Sequence, residues 1–257
     1  MAKTLIRLIA IVALIGASVA RAQDETAAAP TPAAKIDETV FVAGATGRVG
    51  SRVVAQLKAK GYTIRPLTRD LEKAKSEVGE DYDWVVGDVT DIDTLRPAMQ
   101  GVDKLVVTIG SGGQSPEAVD YGGVKNLVDV AKEAGVAYAL LVSSGGVTHP
   151  EHRLNQMFDN LLIWKFKGEE HLRNSGLKYT VFRPGGLRDL WAPGDYGIVF
   201  MQGDLEVDGL LSLDDAASVI VECLTNPACE NKTFEAFNYK ALEPQNWRKN
   251  LNYLLAD

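Results

Sequence analysis

From about residue 39 to residue 237, apolar residues recur in two alternating periods, broken by short polar or glycine-rich stretches. β-Branched and aromatic runs at 39–43, 62–67, 84–86, 104–109, 137–142 and 178–183 predict six strands. Between them, the Val53-Val54-Leu57 pattern ending at Gly61 and residues 71–78, 92–99, 118–134 and 161–174 carry helical spacing. In 118–134, Val119, Val124, Leu127, Val128 and Ala131 fall largely on one side, and 161–174 reads as strongly amphipathic. Strand and helix in strict alternation predict an α/β fold: a doubly wound parallel sheet with helices on both faces. The sixth strand breaks at Pro184-Gly185-Gly186. Beyond it come strand-like 198–200, a helix over 212–224, strand-like 233–237 and a final helix near 244–255. These form a small C-terminal elaboration on the substrate side.

The first strand runs directly into Gly44-Ala45-Thr46-Gly47-Arg48-Val49-Gly50 and then the helical Val53-Val54-Leu57. Three glycines spaced three apart between a strand and a helix give each glycine a task. Gly44 leaves the strand in a conformation closed to residues with a Cβ, Gly47 admits backbone amides to a phosphate, and Gly50 packs the helix onto the strand. The helix N-terminus then offers unpaired amides and a positive dipole end to an anion. That context makes a nucleotide pyrophosphate the expected ligand and the sheet Rossmann-like.

Composition changes the picture at the N-terminus. Residues 1–7 are basic, 8–20 are apolar and uncharged, and Ala20-Arg21-Ala22 fits a small-x-small cleavage site. An apolar run this short predicts a secretory signal over 1–22, with an uncleaved membrane anchor as the rival, and so an exported or a membrane-anchored protein. Residues 23–37 read as a flexible Ala/Pro-rich linker and 38–257 as the folded domain. The net charge of −7 becomes about −10 (24 basic against 34 acidic residues) without Lys3, Arg7 and Arg21, an acidic balance that argues against nucleic-acid partners. Cys223 and Cys229 are the only thiols, too few for a metal cage. In an oxidising compartment they could pair; otherwise one is a core residue and the other, in a turn, a surface residue.

With the glycine series, the sequence carries Thr68-Arg69-Asp70, Gly87-Asp88-Val89-Thr90-Asp91, Val119-Asp120-Tyr121-Gly122-Gly123-Val124, Ser143-Ser144-Gly145-Gly146, Trp164-Lys165-Phe166-Lys167-Gly168-Glu169-Glu170 and Ser175-Gly176-Leu177-Lys178-Tyr179-Thr180-Val181-Phe182-Arg183-Pro184-Gly185-Gly186. In this order the motifs resemble the atypical short-chain dehydrogenase/reductases, the NmrA-like NAD(P)H-binding group, over residues 39 to about 237. The resemblance implies that Asp88 and Val89 lie against the adenine and that the strand end at Thr108-Ile109-Gly110-Ser111 flanks the ribose and phosphates. At the end of the second strand Arg69, with Arg48 in the glycine turn, favours NADP, NAD being the alternative. Asp70 could point back at the ribose or cap the next helix.

For the reaction, the resemblance implies a serine at Ser143 or Ser144 and a lysine best matched by Lys167. The family's tyrosine four residues earlier is absent, since Ile163 precedes Lys167 and Leu161 precedes Lys165. His149, His152 and Tyr196 are other polar candidates for proton donor, each more simply a loop residue. The expectation is an NADPH-dependent oxidoreductase passing hydride to a small quinone-like, flavin-like or carbonyl acceptor. The alternative is a nucleotide-binding sensor or assembly factor without turnover.

Overall fold

The computed structural model describes residues 35–189, 191–192, 194–205, 209–242 and 246–257. The leader expected over 1–22 and most of the linker lie outside the described residues. Eight strands form one sheet: β1 (Thr39–Ala43), β2 (Thr63–Thr68), β3 (Val85–Val86), β4 (Lys104–Val107), β5 (Tyr138–Val142), β6 (Lys178–Pro184), β8 (Gly197–Met201) and β10 (Lys232–Tyr239). Their order is β3-β2-β1-β4-β5-β6-β10-β8, parallel except for the antiparallel β10–β8 pair at the edge. Register is specified where the inner strands are buried on both sides. Val40 and Val42 face one core while Phe41 and Ala43 face the other.

Helices α1 (Gly50–Ala59) and α7 (Leu213–Cys223) cover the first face, packing on Val106, Leu140 and Phe182. The second face carries α3 (Ile92–Ala98), α4 (Val124–Glu133) and α6 (Leu161–Arg173), against Leu105, Leu141 and Val181. Helix α2 (Leu71–Val78) is mostly exposed, and the short α5 (Arg153–Met157) follows the loop after β5.

Several boundaries differ from the sequence reading. The third strand is two residues long and lies at the sheet edge, with Val86 exposed. The long helix after β4 opens as a π-helical turn (Pro116–Gly123) before α4 proper. β6 continues through Pro184, and the chain then forms β7 (Gly186–Arg188), which pairs with β9 (Leu210–Ser212) in a small parallel sheet of its own. The final helix is 3-10 in character over Trp247–Tyr253. Cys223 and Cys229 are joined in a disulfide with Cα atoms 5.4 Å apart. Both are buried, so the alternative of a surface thiol at Cys229 is corrected: the turn at Pro227–Cys229 folds inward under β6, whose Thr180 hydroxyl donates to the Cys229 carbonyl at 2.5 Å.

Candidate functional site

The strand order reverses between β1 and β4, and at that point a cleft of about 360 Å³ opens beyond the carboxyl ends of the strands. Of the residues singled out in the sequence, Gly44, Thr46, Gly47, Arg69, Asp88, Val89, Gly110 and Ser111 line it. Gly50 and Val49 instead lie buried beneath the turn, Arg48 is exposed beside it, and Ser143 and Lys167 are outside the lining.

The glycines are a matter of hard contact. Gly44 has φ +88°, and a Cβ there would stand 2.7 Å from the Thr108 hydroxyl oxygen. A Cβ on Gly50 would collide with the Gly44 carbonyl. The Thr108 hydroxyl donates to the Ala43 and Gly44 carbonyls at 3.0 and 3.2 Å, and the Gly47 amide donates to Gly44 O at 2.9 Å. The turn is thereby closed around its own backbone. The amides of Arg48 and Val49 have no backbone acceptor among the described residues. A cradle that any side chain would fill, with spare amides at a helix start, fits a diphosphate.

At the end of β2 the chain resolves the two roles open to Asp70. Its carboxylate accepts from the Lys73 amide at 3.1 Å and caps α2, while the Thr68 hydroxyl donates to the Asp70 carbonyl at 2.9 Å. Asp88 is also occupied, accepting from the Thr90 amide at 2.8 Å and the Thr90 hydroxyl at 2.7 Å. Those bonds hold its carboxyl below the usual range against partial burial, and the Arg69 charge adds to the effect. Arg69 and Arg48 make no ion pair among the described residues.

At the far end of the cleft the two lysines of α6 point in different directions. Lys167 is exposed, its Nζ 3.8 Å over the Trp164 ring, which in turn stacks on Tyr121. Lys165 is the lysine that turns inward. At about 100° per residue it shares a face with the buried Leu162, Glu169 and Leu172, whereas Lys167 is rotated some 200° away. Gly168 lets that face approach: a Cβ there would come within 3.0 Å of the Asp120 carbonyl, so α6 lies hard against the π-helical turn. Lys165 Nζ consequently meets Asp120 Oδ1 at 2.8 Å, with the carboxylate fully buried. Asp120 Oδ2 accepts from the Ser111 amide at 3.1 Å.

Ser143 ends β5. Its amide donates to the Phe182 carbonyl at 2.7 Å, and its buried hydroxyl has no partner among the described residues. Ser144 differs, because its hydroxyl is spent on the Gly145 carbonyl at 2.9 Å. His149 Nε2 is bonded to the Asp204 carbonyl at 2.7 Å, and His152 Nδ1 accepts from the Leu154 amide at the start of α5. Tyr196 packs edge-on to Trp191. The contact between Lys165 and Asp120 was not read from the sequence, although both residues stand in its motifs. The signal was helical phase, four residues from Lys165 to Glu169 on one face.

A parallel sheet with this strand order, a three-glycine turn at its switch point and a cleft above it define a dinucleotide-binding domain. The NAD(P)H-binding family model matches residues 44–227, and the chain belongs to that family, within the atypical short-chain dehydrogenase/reductases. It is similar to sanguinarine reductase of Eschscholzia californica, 33% identical over 241 residues, covering 77% of this chain and 88% of that one. It is similar also to protein TIC 62 of Pisum sativum, 36% identical over 60% of this chain and 33% of that protein. Among solved structures it resembles ChuY, an anaerobillin reductase of Escherichia coli O157:H7, with TM-score 0.69 and 25% identity over 80% of this chain and all of that one.

Proposed function

We propose that the protein is an NADPH-dependent reductase acting on a small quinone-like, flavin-like or carbonyl acceptor. The observation that carries this reading is the buried Asp120–Lys165 pair at the end of the glycine-cradled cleft, beside Gly110. Similarity to two reductases, of sanguinarine and of anaerobillin, supports it. Bound NADPH supplies hydride. The residues of the chain do the rest: the spare amides of the glycine turn hold the diphosphate and Arg69 holds the 2′-phosphate. Lys165 takes the ribose hydroxyls at the nicotinamide end. With Leu161 four residues before Lys165, no phenol stands in the family's place and solvent protonates the product. That same substitution favours a second reading, a nucleotide-binding protein without turnover, and the similarity to TIC 62 is consistent with it.

NADPH oxidation over a panel of quinones, flavins and aldehydes separates the two. Lys165→Ala is expected to lower kcat/KM about a hundredfold and Lys167→Ala to leave it within about twofold. Tight cofactor binding with no turnover on any acceptor would sink the reductase. We further propose that the domain works in an oxidising compartment, reached by export or held at a membrane by residues 1–22. The Cys223–Cys229 bridge supports this placement.

A further inference from the structure

We propose that Asp120 is a positioning residue for the nicotinamide half of the cofactor, acting through Lys165 and Ser111. The inference rests on the proposed orientation of NADPH along the cleft, and it concerns a carboxylate that no reading above assigns to the reaction.

A fully buried carboxylate is costly unless its charge is matched. Asp120 meets groups from separate elements: the Lys165 ammonium of α6 stands 2.8 Å from Oδ1, a charge pair without a well-directed hydrogen bond, and the Ser111 amide of the β4 loop donates to Oδ2 at 3.1 Å. Its backbone lies in the π-helical turn Pro116–Gly123, an insertion that shifts the phase of the helix running into α4. Three chain segments thus converge on one charge. The convergence stands at the wall of the cleft, because a Cβ on Gly110 would sit 3.6 Å from Asp120 Oδ1 and 3.9 Å from Lys165 Nζ. Gly110 lines the cleft, and the pair lies directly behind it.

The consequence is preorganisation. A free lysine loses rotamer freedom when it binds a ribose, and that loss subtracts from affinity. With Asp120 in place the ammonium is already held, and the loop carrying Gly110 and Ser111 is tied to the same point. The adenosine half, at Arg69 and Asp88, has no contact with Asp120 and gains nothing from it.

Asp120→Asn isolates the charge. The amide oxygen can still accept from Ser111, but the ammonium loses its counterion. Binding to the full-length protein is measured by calorimetry with two probes: NADPH, and 2′,5′-ADP, which fills the adenosine half alone. We expect NADPH affinity to fall about tenfold and 2′,5′-ADP affinity to stay within about twofold. Equal losses on both probes, or no loss on either, overturn the proposal, since a merely structural carboxylate would not distinguish the halves. Should Asp120→Asn fail to fold, Asp120→Glu keeps the charge but moves it off the Lys165 and Ser111 contacts and must give the same split; an equal loss on both probes there also overturns it. Wild-type protein that binds both probes and turns over no acceptor defeats the reductase reading while leaving this split to be read.

Discussion

At the scale of single residues, coenzyme choice comes down to which carboxylates are free near the end of β2. Asp70 is spent as the cap of α2 and Asp88 on Thr90, so neither carboxylate is left to accept from the ribose hydroxyls as an NAD-selective carboxylate would. Arg69 lines the cleft exposed and without an ion pair among the described residues. Arg69→Ala should therefore weaken NADPH about tenfold and leave NADH nearly unchanged, as a charge-assisted contact of roughly 1.5 kcal/mol requires; titration with both coenzymes measures it. Raised ionic strength should narrow the difference, because the guanidinium is exposed. Residues of this kind were legible in the sequence, since a strand end fixes where Arg69 and the glycines go. Lys165 was not. Choosing it over Lys167 requires the rotation of α6 about its axis, and the Gly168 contact with the Asp120 backbone sets that rotation.

At the scale of elements, the β1–turn–α1 unit tolerates no added carbon where the helix crosses the strand. Gly50→Ala would drive a Cβ into the Gly44 carbonyl, and that carbonyl is itself held by Thr108 and the Gly47 amide. We expect a loss of about 2 kcal/mol or more in denaturant unfolding, with loss of NADPH binding in what remains folded. Helix α6 is less legible. It reads as strongly amphipathic, yet its inward face buries Glu169, which takes Arg183 of β6 in a bidentate pair and Arg173 as well. Arg183 also reaches Glu235 of β10 at 3.3 Å. Burial pushes the Glu235 carboxyl above its ordinary range, and its Oε2 has no partner among the described residues. A carboxyl with a raised folded-state pKa contributes stability below its unfolded value, and that contribution is lost as pH rises from there towards the folded value. Glu235→Gln should then gain stability at neutral pH relative to wild type and lose that advantage near pH 4, as unfolding curves across pH would show. Such a network is invisible to hydrophobic periodicity, which counts Glu169 and Glu235 as surface positions.

For the whole molecule, the two ends of the sheet carry different burdens. The carboxyl ends of β1, β2 and β4 open into the cleft. The disulfide lies at the other end, in a shallow groove with Lys104, Tyr138 and Lys178 at the starts of β4, β5 and β6. It ties the last turn of α7 to the Pro227–Cys229 turn and so closes a loop only six residues apart in sequence. The chain-entropy cost removed by so small a loop is about 2 kcal/mol, or some 5 °C in melting temperature for a domain of this size. The sequence left the pairing open, because two cysteines six apart meet only if the turn folds inward, and Thr180 of β6 makes it do so. Reduction, or Cys223→Ser with Cys229→Ser, should therefore lower the melting temperature by about 5 °C while NADPH affinity stays unchanged. A fall in affinity together with stability would mean that the two ends of the sheet are coupled. If reduced and oxidised protein melt alike, the bridge contributes no stability and loses its weight as support for an oxidising compartment.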